Sequence, residues 1–134
     1  MLSLPIVLTR QLGAVSNLAE DDYLRTQLEE AGAVSCLIKL LKSGHDDDVL
    51  EQAALALTRF AVDKDMRKHI ADGGGITALT DLCASETVED SSLEAAASAI
   101  KAMATDSIMR NALSDAGAVE AMIRLCQVQA VLPF

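Results

Sequence analysis

GAVSNLAEDDYLR (13–25), LALTRFAVDKDMR (55–67) and SAIKAMATDSIMR (98–110) align without a gap, and this self-similarity decides the fold. Ala14, Ala56 and Ala99 coincide, as do Leu18, Phe60 and Met103, and each segment closes on an arginine: Arg25, Arg67 and Arg110. The match runs straight on. TQLEEAGAVSCLIKLL (26–41), KHIADGGGITALTDLC (68–83) and NALSDAGAVEAMIRLC (111–126) share Leu28, Ile70 and Leu113, then Gly32, Gly74 and Gly117, then Val34, Ile76 and Val119. The three arginines lie 42 and 43 residues apart. Leu37 and Leu79 keep the shorter spacing while Leu50 and Leu93 take the longer one. The extra residue therefore falls in the polar stretch SETVEDSS (85–92), where a loop tolerates insertion.

Within one copy, Val49, Leu50, Ala53, Ala54, Leu57, Phe60 and Ala61 recur at steps of three and four, the spacing of a buried helix face. This predicts a long helix over 46–62, a short one near 65–71 and another near 75–85. Asp46, Asp47 and Asp48 lead into the long helix, where a carboxylate caps free N–H groups and favours the helix dipole. Glu20 with Asp21 and Asp22, and Glu89 with Asp90, are read as capping acids in the same way; a basic partner along that edge is the other reading. The run Gly73 to Gly75 lacks the Lys and Ser or Thr of a phosphate loop, and is read as a helix terminator needing positive φ.

Composition agrees with helices. Of 134 residues 51% are hydrophobic, enough to bury a core, but there is no Trp, one Tyr and two Phe, so Ala and Leu fill it. A net charge of -9 with a pI near 4.5 excludes a broad nucleic-acid or anionic-membrane surface, which needs clustered Lys and Arg. Cys36, Cys83 and Cys126 are too few and scattered for a disulfide framework. Met1 to Arg10 has no basic lead or cleavage pattern of a signal peptide, and no run reaches the length of a membrane span. The expected setting is cytoplasmic, with the nucleus also open.

EAGAVSCLIKLLKSGHDDDVLEQAALALTRFA (30–61) resembles an armadillo repeat in glycine position, leucine pattern and helix order, and the similarity covers nearly the whole chain. The resemblance implies an all-α, right-handed solenoid of about three three-helix repeats, whose long third helices line a concave groove and bind other proteins. In that frame the chain holds a partial repeat (1–22), two complete repeats (23–63 and 64–106) and a partial repeat (107–134), incomplete at both ends. A solenoid unit cannot bury its own apolar faces. The chain is thus expected to be a segment of a longer array, or to self-associate through LSLPIVL (2–8) and VQAVLPF (128–134). A regulatory piece of a larger enzyme is a further alternative.

In peptide-binding members such as the importin alpha group, the third helix carries a Trp and, four residues later, an Asn. The aligned pairs here are Gly13 and Asn17, Leu55 and Arg59, Ser98 and Ala102; only Asn17 matches, which weakens an import role. The expected partner-binding groove is Arg10, Asn17, Gln52, Leu55, Arg59, Ser98 and Lys101, whose three bases suit an acidic or phosphorylated segment. Leu55 is either a groove contact or a sign that the register is slightly off.

The repeated arginines are assigned to structure, held between adjacent repeats or against nearby carboxylates or carbonyl ends. His45 and His69 sit at unrelated repeat positions with no metal-ligand spacing around them, and Cys83 and Cys126, which replace Leu41, are read as small buried apolar residues. No nucleophile, acid pair, metal site or cofactor motif emerges, so the expected role is not catalytic.

Overall fold

The computed structural model describes residues 4–44 and 46–131, and every regular element among them is an α-helix. In chain order these are α1 (Leu4–Leu18), α2 (Asp22–Glu30), α3 (Ala33–Lys42), α4 (Asp47–Phe60), α5 (Lys64–Asp72), α6 (Gly75–Ala84), α7 (Asp90–Met103), α8 (Ser107–Asp115) and α9 (Ala118–Val131). The long, short and medium helices expected from the spacing all form, with ends within two residues of the reading. The connection 85–89 is one residue longer than 43–46, so the insertion sits in that loop.

Local chemistry starts and stops these helices. Asp21, Asp46, Asp63 and Asp106 each accept a backbone N–H from the first turn of the following helix, relieving donors that a helix start leaves unpaired. Glu89 departs from the capping expectation, because its side chain makes no cap bond to α7. Instead its N–H donates to Asp47 Oδ1 at 2.8 Å, and Ser92 Oγ donates to the Asp47 carbonyl and carboxylate at 3.0 and 3.1 Å. That acid thus ties the start of α7 to the start of α4. Only Gly74 of the glycine run takes positive φ (85°), as Gly32 (92°) and Gly117 (87°) do at the equivalent turn. This left-handed residue lets the short helix stop and the next begin after a two-residue turn.

Helices of the same type stack in ladders. α4 packs between α1 and α7, α6 between α3 and α9, and α8 lies against α5. Alanine sets the spacing of the first ladder: Ala53, Ala54 and Ala56 on α4 and Ala95, Ala96 and Ala99 on α7 are almost wholly buried, so the helices approach closely. Phe60, Leu57, Leu37, Ile70, Leu79 and Met103 fill the single core between the ladders. Burying each such side chain contributes about 2 to 3 kcal/mol.

Candidate protein-binding face

α1, α4 and α7 lie side by side, so their outward residues form one continuous face. Arg10 and Asn17 on α1, Arg59 on α4 and Lys101 on α7 are exposed, while Gln52, Leu55 and Ser98 are half-buried. The structure brings part of this set together. A Cβ at Gly13 would make ordinary van der Waals contact with Gln52 Oε1 at 3.9 Å, which places these two residues beside each other across α1 and α4. Leu55 is half-buried and packs against the core cluster.

Arg59 is already engaged. Its Nε lies 3.3 Å from Glu20 Oε1 at the end of α1, a pair that sequence reasoning missed because the two residues belong to adjacent repeats. Both side chains are about half exposed, so the pair is held by less than about 1 kcal/mol. Arg10 and Lys101 form no ion pair among the described residues.

The repeated arginines are structural. Arg25 donates to the Ala19 carbonyl at 2.8 Å, Arg67 to that of Ala61 at 2.9 Å and Arg110 to that of Ala104 at 3.0 Å, so each closes the end of the preceding long helix. Arg67 also reaches Asp106 of the next repeat at 2.9 Å. The backbone N–H of Met109 and then the Arg67 guanidinium hold the Asp106 carboxyl below its ordinary value. A readable signal for this clasp exists, since Asp21, Asp63 and Asp106 occupy one column of the aligned segments.

The cysteines require a correction. Cys83 is fully buried, and burial pushes its thiol up to about 11, but Cys126 is exposed, as is Cys36. The reading of Cys126 as a core residue fails because no later element among the described residues covers α9 as α8 and α9 cover α6. His69 Nδ1 lies 2.8 Å from Glu29 Oε2, which accepts from it, while Glu29 Oε1 accepts the Val34 N–H that the glycine turn leaves unpaired. His45, Leu2, Ser3 and the terminal Leu132 to Phe134 lie outside the described residues, so the expectations placed on them gain no structural account. Among the described residues there is no group of three potential metal ligands, and no helix is long and apolar enough to cross a membrane.

Residues 25–62 match the family model of the Armadillo/beta-catenin-like repeat. A designed armadillo repeat protein in complex with the peptide (KR)4 superposes with a TM-score of 0.81 at 26% identity, over 89% of this chain and 50% of that one. A second designed armadillo repeat protein gives 0.80 at 25% identity over the same shares. An engineered protein gives 0.79 at 30% identity, over 87% of this chain and 47% of that one. The chain thus spans about half the length of the solved structures it matches. No curated protein matches it.

Proposed function

The chain belongs to the armadillo repeat family, and on that premise we propose that it is a protein-interaction scaffold binding an extended partner segment along the face of α1, α4 and α7. The observation that carries this reading is the seating of α4 between α1 and α7, which turns three equivalent helices into one surface. Arg10, Asn17, Gln52, Leu55, Arg59, Ser98 and Lys101 provide its contacts. A half-buried leucine beside hydrogen-bonding and charged groups is the mix that anchors a segment and fixes its register.

The designed relative was solved with a basic peptide, (KR)4. Here the cations are on the protein, as Arg10, Arg59 and Lys101, so the segment proposed for this chain carries carboxylate or phosphate groups. A guanidinium held only by exposed Glu20 is free to exchange that partner for a better placed one.

The test is selection of binders from a displayed peptide library, followed by calorimetric titration against the wild type and a Leu55→Ala, Arg59→Glu double variant. Equal helicity by circular dichroism is the control. Selected peptides should be acidic and should lose at least about tenfold in affinity for the variant, equivalent to about 1.4 kcal/mol. Undiminished binding to the variant, or enrichment of basic sequences, would sink the proposal.

A further inference from the structure

The medium helices end differently at the two junctions inside the chain. Lys39, Asp81 and Arg124 share one column of the repeat, and Lys42 and Ala84, the last residues of α3 and α6, share another. At the second junction Arg124 of α9 donates from Nη2 to the Ala84 carbonyl, so a guanidinium closes the C-terminal end of α6. A cation is favoured there, because the last turn of a helix leaves carbonyls without intrahelical donors and carries the negative end of the dipole. At the first junction the same column holds Asp81, an acid beside the end of α3 where the next repeat supplies a guanidinium.

A cavity of about 320 Å³ opens at that first junction. Leu41, Leu50, Leu82 and Val88 give it apolar walls, and Asp81 and Lys42 are the charged residues that line it. The Lys42 ammonium does not neutralise the acid. Its Nζ lies 3.0 Å from the position a Cβ on Gly74 would take, and neither Lys42 nor Asp81 forms an ion pair among the described residues. The lining comes from α3 and α6, the loops that follow them and the start of α4, and α3 already packs against α6. The cavity therefore belongs to a formed junction and not to an uncovered end.

We propose that this cavity receives an arginine side chain from a partner protein, its guanidinium bridging the Asp81 carboxylate and the C-terminal carbonyls of α3, its stem lying on Leu41, Leu50, Leu82 and Val88. Arginine is the occupant because the chain itself places one at the equivalent helix end. A planar head with several donors on an apolar stem also matches a carboxylate and carbonyls set beside apolar walls. None of the residues named on the face of α1, α4 and α7 lines the cavity, so this site stands independently of what that face binds.

NMR of the isotopically labelled whole chain, titrated with acetyl-arginine amide into the tens of millimolar, tests this, since one side chain supplies only weak affinity. Acetyl-citrulline amide, which keeps the shape without the charge, is the comparison. The arginine probe should give saturating shifts confined to the amides of 40–44 and 78–88, and the citrulline probe none. Asp81→Asn should weaken uptake at least about tenfold, so that saturation is lost over the same range. Asp81→Arg, which puts the residue of position 124 into this column, should fill the cavity and abolish uptake. Asp81 is exposed, so both variants should keep the wild-type circular dichroism. The Leu55→Ala, Arg59→Glu double variant should take up the probe as the wild type does. No saturating shift with arginine, an equal response to citrulline, undiminished binding to Asp81→Asn, or loss of binding in the double variant would each overturn the proposal.

Discussion

Phe60 and Leu18 stand at the same position of two equivalent helices, yet Phe60 is fully buried and Leu18 is 44% exposed. The difference owes nothing to local sequence, since both close a long helix one residue before the alanine whose carbonyl receives a repeated arginine. It comes from neighbours. α4 has α1 on one side and α3, α5 and α7 around the rest, whereas α1 has α2 and α4 alone among its principal contacts. In a stacked fold, periodicity states which face a helix can bury, and the adjoining repeat decides whether it does. Arg67 is clasped to Asp106 of the next repeat, whereas among the described residues Arg110 bonds to the Ala104 carbonyl and Arg25 to the Ala19 carbonyl and Asp22.

The largest test of this contrast is truncation at the two matched positions. In dilute solution Phe60→Ala should cost about 3 to 5 kcal/mol, because it leaves a cavity in the core, whereas Leu18→Ala should cost about 1 kcal/mol or less. Urea denaturation followed by circular dichroism gives both values. Equal losses would mean that the α1 face is buried in solution after all.

A smaller effect separates the arginines. Arg67→Ala loses charge-assisted bonds to Ala61 and Asp106 and should cost about 2 kcal/mol, while Arg110→Ala should cost about 0.5 kcal/mol. The clasp also has a pH signature. The Asp106 carboxyl is held below its ordinary value of 3.8, so the stability it contributes is present above that value and is lost as pH falls through the lower, folded value. Asp106→Asn, which keeps a capping oxygen, should make the acid limb of the stability curve shallower. An unchanged limb would show that the clasp does not form.

The smallest change is read on the thiols. Cys83 and Cys126 share a column, but in dilute solution Cys126 should react with a thiol reagent at once, together with Cys36, and Cys83 only on unfolding. Rapid reaction of all three thiols would contradict the packing of α6.

Much of this molecule was legible in its residues. Three aligned segments established the helices, the glycine turns and the structural role of Arg25, Arg67 and Arg110, because period and capping chemistry are local and repeat. What escaped was set between repeats. Glu89 looked like a cap but yields that role to a tie with Asp47, and Arg59 looked like a free base but meets Glu20. Cys126 has the register of a core residue without a neighbour to bury it. None of these could be read from one helix, since each depends on which residues the stacking places opposite.

The most direct measurement of the account is hydrogen–deuterium exchange of the chain with and without a selected acidic peptide. Binding along the long helices predicts slowed exchange in 10–17, 52–59 and 94–102, with little change in α2, α5 and α8. Protection confined to α2, α5 and α8 would place the partner on the opposite edge and contradict the proposed face.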